Sequence, residues 1–386
     1  METKRTYFET RELSVGYCGH TLISGINLSV ERGSILTLIG PNGSGKSTIL
    51  KTITKHLEQI AGVVSINESS ILKWSNKELA KKLSVMLTER IDPELMTCGE
   101  VVAMGRYPYT NHFGKLTPGD QAVVEESLKM VRATELADRP FCDISDGQRQ
   151  RVMLARAICQ QPEIIVLDEP TSYLDIRHKV ELLDILRTMA AEKNVAVVMS
   201  LHEIDLAAKI SDKVICVKGD KIELFGTPEE VFTDKRVSDI YDLTAGSYNT
   251  LFGSVELVAP DGEPEVFVLG GGGAGIPVYR KLQKHKIPFS TGVLYQNDVD
   301  YQVARALSYH VATAEAFMPM TAFSMWEAKA LVERAPCFID PGVPFGEFNA
   351  QLKGLEEFAR AHGKQSFADV DEYIDARCAN WRTAKK

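Results

Sequence analysis

Residues 40–48 read Gly-Pro-Asn-Gly-Ser-Gly-Lys-Ser-Thr. Glycine, lysine and hydroxyl residues in that order fit G-x-x-x-x-G-K-[ST], a pattern that holds the phosphates of a nucleotide. The glycines let backbone N–H groups approach the anion with no side chain in the way. Lys46 reaches the outer phosphates and Ser47 offers its hydroxyl to Mg²⁺. Gly40, Pro41, Asn42, Gly43, Ser44, Gly45, Lys46, Ser47 and Thr48 are therefore the candidate nucleotide-binding residues. A Gly-rich surface turn would match the specified positions only by chance.

Chemistry on that nucleotide needs carboxylates. Residues 164–169 read Ile-Ile-Val-Leu-Asp-Glu, four apolar residues followed by two acids. Such a run predicts a buried parallel strand, and ligands of α/β sheets bind at the C-terminal ends of strands. Asp168 fits a Mg²⁺-associated carboxylate and Glu169 the base that orients the attacking water. Two acids after a strand also suit a helix N-cap; beside residues 40–48 the catalytic reading prevails. The elements that must position these residues are legible. Residues 35–39, Ile-Leu-Thr-Leu-Ile, read as a strand, and residues 48–53 start a helix whose N-terminus points at the anion.

Residues 144–148, Ile-Ser-Asp-Gly-Gln, precede a helical run and carry a family resemblance. They resemble the L-S-G-G-Q signature of the ATP-binding subunits of ABC transporters, with Ile144 for Leu and Asp146 for the first Gly. Ser145, Gly147 and Gln148 are then implied to contact ATP. Asp175, in Ser172-Tyr-Leu-Asp175, resembles the loop at the dimer interface. His202, after the apolar residues 195–199, resembles the switch histidine that contacts the γ-phosphate. Tyr17 resembles the aromatic residue that stacks on adenine, for which a flat π face suffices. The family places a Gln after the strand that here reads Lys82-Leu-Ser-Val-Met-Leu87; this sequence has Thr88 and Glu89 instead, either able to offer Mg²⁺ an oxygen. The resemblance covers roughly residues 5–245. It implies ATP and Mg²⁺ as cofactors and a P-loop NTPase fold, a mixed sheet with a helical subdomain. It also implies a head-to-tail homodimer at the cytoplasmic face of the membrane, with separate permease subunits and, indirectly, a substrate-binding protein. Residues 101–109, Val-Val-Ala-Met-Gly-Arg-Tyr-Pro-Tyr, are similar to a run in importers of ferric siderophores, haem and cobalamin. A soluble ABC ATPase acting on ribosomes or DNA is the alternative; it would carry two cassettes or a coiled coil, and neither is present. An importer ATPase for another cargo, with a ligand-sensing C-terminal domain, is a further alternative.

The 386 residues exceed one ordinary domain. A turn-rich stretch at 251–264 predicts a linker between an ATP-binding domain, 1–250, and a second domain, 265–386. The net charge of −8 gives no case for nucleic acid as a partner. The seven cysteines have no paired spacing, which points to reduced thiols. No apolar stretch reaches membrane-spanning length, and the N-terminus lacks a signal-peptide pattern. The second domain opens with Val266-Phe-Val-Leu-Gly-Gly-Gly-Gly-Ala-Gly275. Gly270, Gly272 and Gly275 satisfy G-x-G-x-x-G, and alternating strands and helices follow. The pattern predicts a small Rossmann-like parallel-sheet α/β domain. Its glycines either bind a nucleotide or other anion, or merely allow a tight strand-to-helix turn in a docking module. A fused enzyme is a third reading, without a recognisable catalytic set.

Overall fold

The computed structural model describes residues 6–87, 93, 95–111 and 114–384, with side chains described as far as residue 377. Two compact units emerge, Met1–Arg236 and Val237–Lys386. In the first, all five residues of strand Ile35–Ile39 are buried, because the strand lies inside a six-stranded sheet. The sheet order is Lys221–Gly226, Lys213–Lys218, Ile35–Ile39, Ala196–Ser200, Ile164–Leu167, Leu83–Met86. Its pairs are parallel except at the edge strand Lys221–Gly226, which runs antiparallel to its neighbour. A buried inner strand covered on both faces needs continuous apolar residues, as Ile164–Leu167 and Ala196–Ser200 nearly supply.

A second, antiparallel sheet of four strands is built around Thr6–Tyr17. Phe8, Val15 and Ile23 of that sheet share one apolar core with Leu36, Leu38 and Ile49. Helices Cys98–Ala103, Pro118–Met130 and Asp146–Cys159 pack on one another. A buried ion pair, Arg106 Nε to Asp120 Oδ1 at 2.9 Å, and an Arg106 bond to Cys159 O tie that group together. Gly105 lies so close to the Arg156 carbonyl that a Cβ would sit 2.3 Å from it. Residues 101–109 thus owe Gly105 and Arg106 to local packing, while Met104 and Tyr107 face solvent.

The second unit holds a five-stranded, all-parallel sheet in the order His310–Ala314, Phe289–Tyr295, Val266–Val268, Cys337–Ile339, Gln365–Phe367. Alternation along the central strand explains its uniform apolarity. Val266 and Val268 enter a core with Tyr279, Leu282 and Phe289, whereas Phe267 and Leu269 enter another with Val293, Ala312 and Phe338. The strand at Gln365–Phe367 and helix Lys353–Ala361 before it extend the sheet beyond the pattern read from sequence.

The expected domain limits differ from this division. Residues 251–264 were expected to be a linker, yet strand Ser254–Leu257 lies there and pairs with Gly246–Asn249. That hairpin is held to the second unit by Asn249 Nδ2 donating to Gln302 O at 2.9 Å and by the Arg280–Glu256 ion pair at 2.6 Å. Turn-forming glycines and prolines flank a hairpin as readily as they fill a linker, which is why composition did not separate the two.

Candidate nucleotide site

The glycines of residues 40–48 are required by geometry. Gly40 and Gly45 have φ of 145° and 94°, in the left-handed half of the map. A Cβ on Gly40 would meet Val217 O at 2.1 Å, and one on Gly45 would meet Ile23 Cδ1 at 2.7 Å. Helix Lys46–Ile53 follows at once, with Gly45 as an N-cap that supplies no side-chain bond and no acid in the first turn. Its first N–H groups are therefore not capped by a side chain, the arrangement that attracts an anion. Lys46 is buried and its Nζ folds back to donate to Gly40 O at 2.8 Å and Pro41 O at 2.9 Å. Burial pushes the Lys46 ammonium down from its usual range, and the charges of Glu169 and Asp168 push it back.

The loop borders a cleft of about 420 Å³, which residues 42–48 line together with Tyr17, Leu22, Glu169 and His202. The Tyr17 ring is half exposed, and its hydroxyl lies 3.2 Å from Thr48 Oγ1. Strand Ile164–Leu167 delivers Asp168, almost fully buried, with its N–H on Met86 O at 2.8 Å. Glu169 next to it adopts φ of 50°, unusual for a non-glycine residue. Its carboxylate meets His202 Nε2 at 2.6 Å and accepts from Ser172 Oγ at 3.2 Å. Ser200 closes the adjacent strand and contacts both acids: its Oγ donates to Asp168 Oδ1 at 2.7 Å and accepts from Glu169 N at 2.8 Å.

Sequence reasoning passed over Ser200, and gave Ser172 a place in the interface loop but no contact with Glu169. The signal for Ser200 was a single hydroxyl ending the apolar strand Ala196–Ser200, two residues before His202.

Ser145, Gly147, Gln148 and Asp175 stand outside the lining of that cleft. Ser145 caps helix Asp146–Cys159, accepting from Gln148 N at 3.3 Å while Gln148 Oε1 accepts from Ser145 N at 3.0 Å. Gly147 lies in the first turn of that helix, where a Cβ would approach Leu174 Cδ2 at 3.4 Å. Asp146 is exposed there. Asp175 caps helix Ile176–Lys193 through His178 N at 2.9 Å, and that bond holds its carboxyl below the usual range. Thr88 and Glu89 lie outside the described residues.

The glycine-rich turn of the second unit has a different occupant. Asp300, fully buried, accepts from Gly271 N at 2.6 Å, Gly275 N at 2.9 Å and Ile276 N at 3.1 Å. Asp298 accepts from Gly272 N at 2.9 Å. Burial pushes the Asp300 carboxyl up, and its bonds from Gly275 and Gly271 pull it back. Gly270 and Gly275 are small for another reason: a Cβ would strike the Tyr279 hydroxyl at 2.1 Å or its ring at 2.4 Å. In a dinucleotide fold those amides face a pyrophosphate; here four of them face the chain's own carboxylates.

Comparison with known proteins decides the family. Residues 23–172 match the ABC transporter family. An ABC transporter ATP-binding protein of Methanocaldococcus jannaschii, MJ0873, is 45% identical over 74% of this chain and 99% of its own length. This chain belongs to the ABC transporter ATP-binding proteins. The iron(3+)-hydroxamate import ATP-binding protein FhuC of Bacillus subtilis is 36% identical over 61% of this chain and 88% of its own. The cobalamin import ATP-binding protein BtuD of Halobacterium salinarum is 31% identical over 76% of this chain and 75% of its own. The solved dimeric post-hydrolysis state of the cassette MJ0796, bound to ADP and Pi, is 25% identical with a TM-score of 0.51, over 57% of this chain and 98% of that one. Residues 289–381 match the MJ0874 family. As an ABC ATP-binding protein this chain is an ATPase of the P-loop fold.

Proposed function

We propose that this chain is the ATP-hydrolysing subunit of an importer for ferric siderophores, haem or cobalamin. Relatives named for iron(3+)-hydroxamate and cobalamin import support the cargo class. The observation that carries the hydrolytic role is the pairing of Glu169 with His202 at 2.6 Å beside the phosphate loop. A carboxylate held there is placed to accept a proton from water attacking the outer phosphate, and the imidazole is placed to meet that phosphate. Mg²⁺ takes oxygen donors in near-octahedral geometry and keeps waters; the Ser47 hydroxyl and Asp168 carboxylate suit it. When bound, the ion neutralises phosphate charge. Lys46 supplies the fixed positive charge, and Tyr17 offers its exposed face to the base.

Two copies complete the site in this reading. Each ATP lies between residues 40–48 of one copy and Ser145, Gly147 and Gln148 of the other, with Asp175 at the junction. The one-sided lining of the cleft supports this, as does the solved dimeric relative. No helix among the described residues is long and apolar enough to cross a membrane. In this reading a separate permease forms the channel and this chain sits peripherally on the cytoplasmic face. A groove of about 390 Å³ lined by Lys55, His56, Leu79, Val85, Arg156 and Gln160 suits a docked permease segment. The second unit serves as a docking module, because Asp300 and Asp298 take the amides that a nucleotide would need.

The test is uptake of labelled ferric siderophore, haem and cobalamin by cells carrying the intact chain or Glu169→Gln. One uptake should collapse with the variant, while the purified variant still binds ATP without turning it over. Normal turnover by that variant would remove Glu169 from its role; unchanged uptake of all three would remove the cargo class.

A further inference from the structure

We propose that Ser200 is a positioning residue of the hydrolytic site, holding Asp168 and Glu169 in register through one hydroxyl. The inference rests on the reading of Glu169 as the base. Strands Ile164–Leu167 and Ala196–Ser200 run parallel, with Leu167 opposite Met199. The next residue of each strand is Asp168 and Ser200, so the hydroxyl faces the acid by register alone. Ser200 is fully buried. A serine hydroxyl has one donor and two acceptor lone pairs. The donor goes to Asp168 Oδ1 at 2.7 Å, and one lone pair takes Glu169 N–H at 2.8 Å.

Those two bonds fix different things. The first sets the rotation of the Asp168 carboxylate. The second anchors Glu169 where the chain leaves the strand at φ of 50°, a conformation that persists only when its surroundings hold it. That turn sends the Glu169 carboxylate to His202. Without the hydroxyl, the Glu169 amide loses its acceptor and the turn loses its anchor. Displacements of about 1 Å at a reacting group can cost on the order of 100-fold in rate. Both hydrogen bonds of the Ser200 hydroxyl go to residues 168 and 169 and neither to residues 40–48, so its loss should fall on turnover more than on ATP binding.

The experiment compares Ser200→Ala, Ser200→Val and Ser200→Thr in the full-length chain. Thr keeps the hydroxyl and Val matches its volume without it. We expect kcat for ATP to fall at least tenfold in Ala and Val, recover to within threefold of the parent in Thr, and KM for ATP to stay within threefold throughout. Melting temperatures of all three separate this from loss of folding, and the Ala variant serves if the larger side chains do not fit. In a Glu169→Gln background, Ser200→Ala should leave ATP-dependent dimerisation unchanged. Turnover by Ser200→Ala within twofold of the parent overturns the proposal, as does a rise in KM that matches the fall in kcat. If Glu169→Gln itself turns over normally, the reading of the base has failed rather than that of Ser200.

Discussion

Replacing Asp300 by Ala should loosen the second unit by an amount that can be worked out. The carboxylate takes three amides: Gly271 and Gly275 are buried, and Ile276 is partly so. A buried N–H left without a partner costs about 1–3 kcal/mol. Two such groups, less the cost of burying a charge that disappears with the carboxylate, give a net loss of about 3 kcal/mol. Burial pushes the Asp300 carboxyl up from its usual range, the direction such a cost requires. For a unit of this size about 1 kcal/mol moves the melting temperature by roughly 2–4 °C, so the second unit should melt about 10 °C lower.

Calorimetry of the full-length chain reads this directly, because ATP raises the transition of the first unit and leaves the second in place. The vacated amides should then accept a free anion. Inorganic phosphate should restore several degrees to Asp300→Ala and nothing to the parent. An unchanged second transition would refute the argument that Asp300 fills the loop. So would saturable binding of a dinucleotide by a Lys46→Ala chain, in which the first site is disabled.

Three other outcomes follow from the same geometry. Tyr17→Ala should raise KM for ATP about fivefold with kcat nearly unchanged, since stacking is worth about 1 kcal/mol and the ring touches no reacting atom; steady-state kinetics checks it. Lys46→Ala should abolish measurable ATP binding by fluorescence titration, because it removes a cation folded onto the loop carbonyls. Asp120 is held down to about 2 by the Thr117 hydroxyl and amide and by Arg106. A carboxyl depressed in the folded state stabilises above its usual value of 3.8 and loses that contribution as pH falls towards 2. Urea midpoints of Asp120→Asn should therefore lie below the parent at neutral pH and converge with it near pH 2.

Residues 40–48 and 164–169 were legible because their chemistry is local: a loop, the helix after it, and two acids ending an apolar strand. Ser200 was not, because its value comes from strand register with Asp168, and register is not written in one strand. Asp300 was passed over for a similar reason. It lies 25 residues beyond Gly275, and only the turn brings it under the amides. The strand Gln365–Phe367 carries two exposed polar residues, so it lacked the apolar signal that announced its neighbours. The hairpin at 246–257 was hidden among turn residues.

The chain contains two glycine-rich turns between a strand and a helix, and their different fates come down to where the acids are held. Behind residues 40–48 the helix has no acid in its first turn. The nearest carboxylates belong to Asp168 and Glu169, and other groups engage them: Ser200 takes Asp168, while His202 and Ser172 take Glu169. Positive potential at that turn is thus left for a ligand. Behind residues 270–275 the first turn likewise has no acid, yet helix Val299–Leu307 presents Asp300 and its N-cap Asp298 to the amides. An internal carboxylate is tethered at high effective concentration, so an outside phosphate competes poorly. The same backbone device therefore stands beside acids held by other side chains in one unit, and is filled by the chain's own carboxylates in the other.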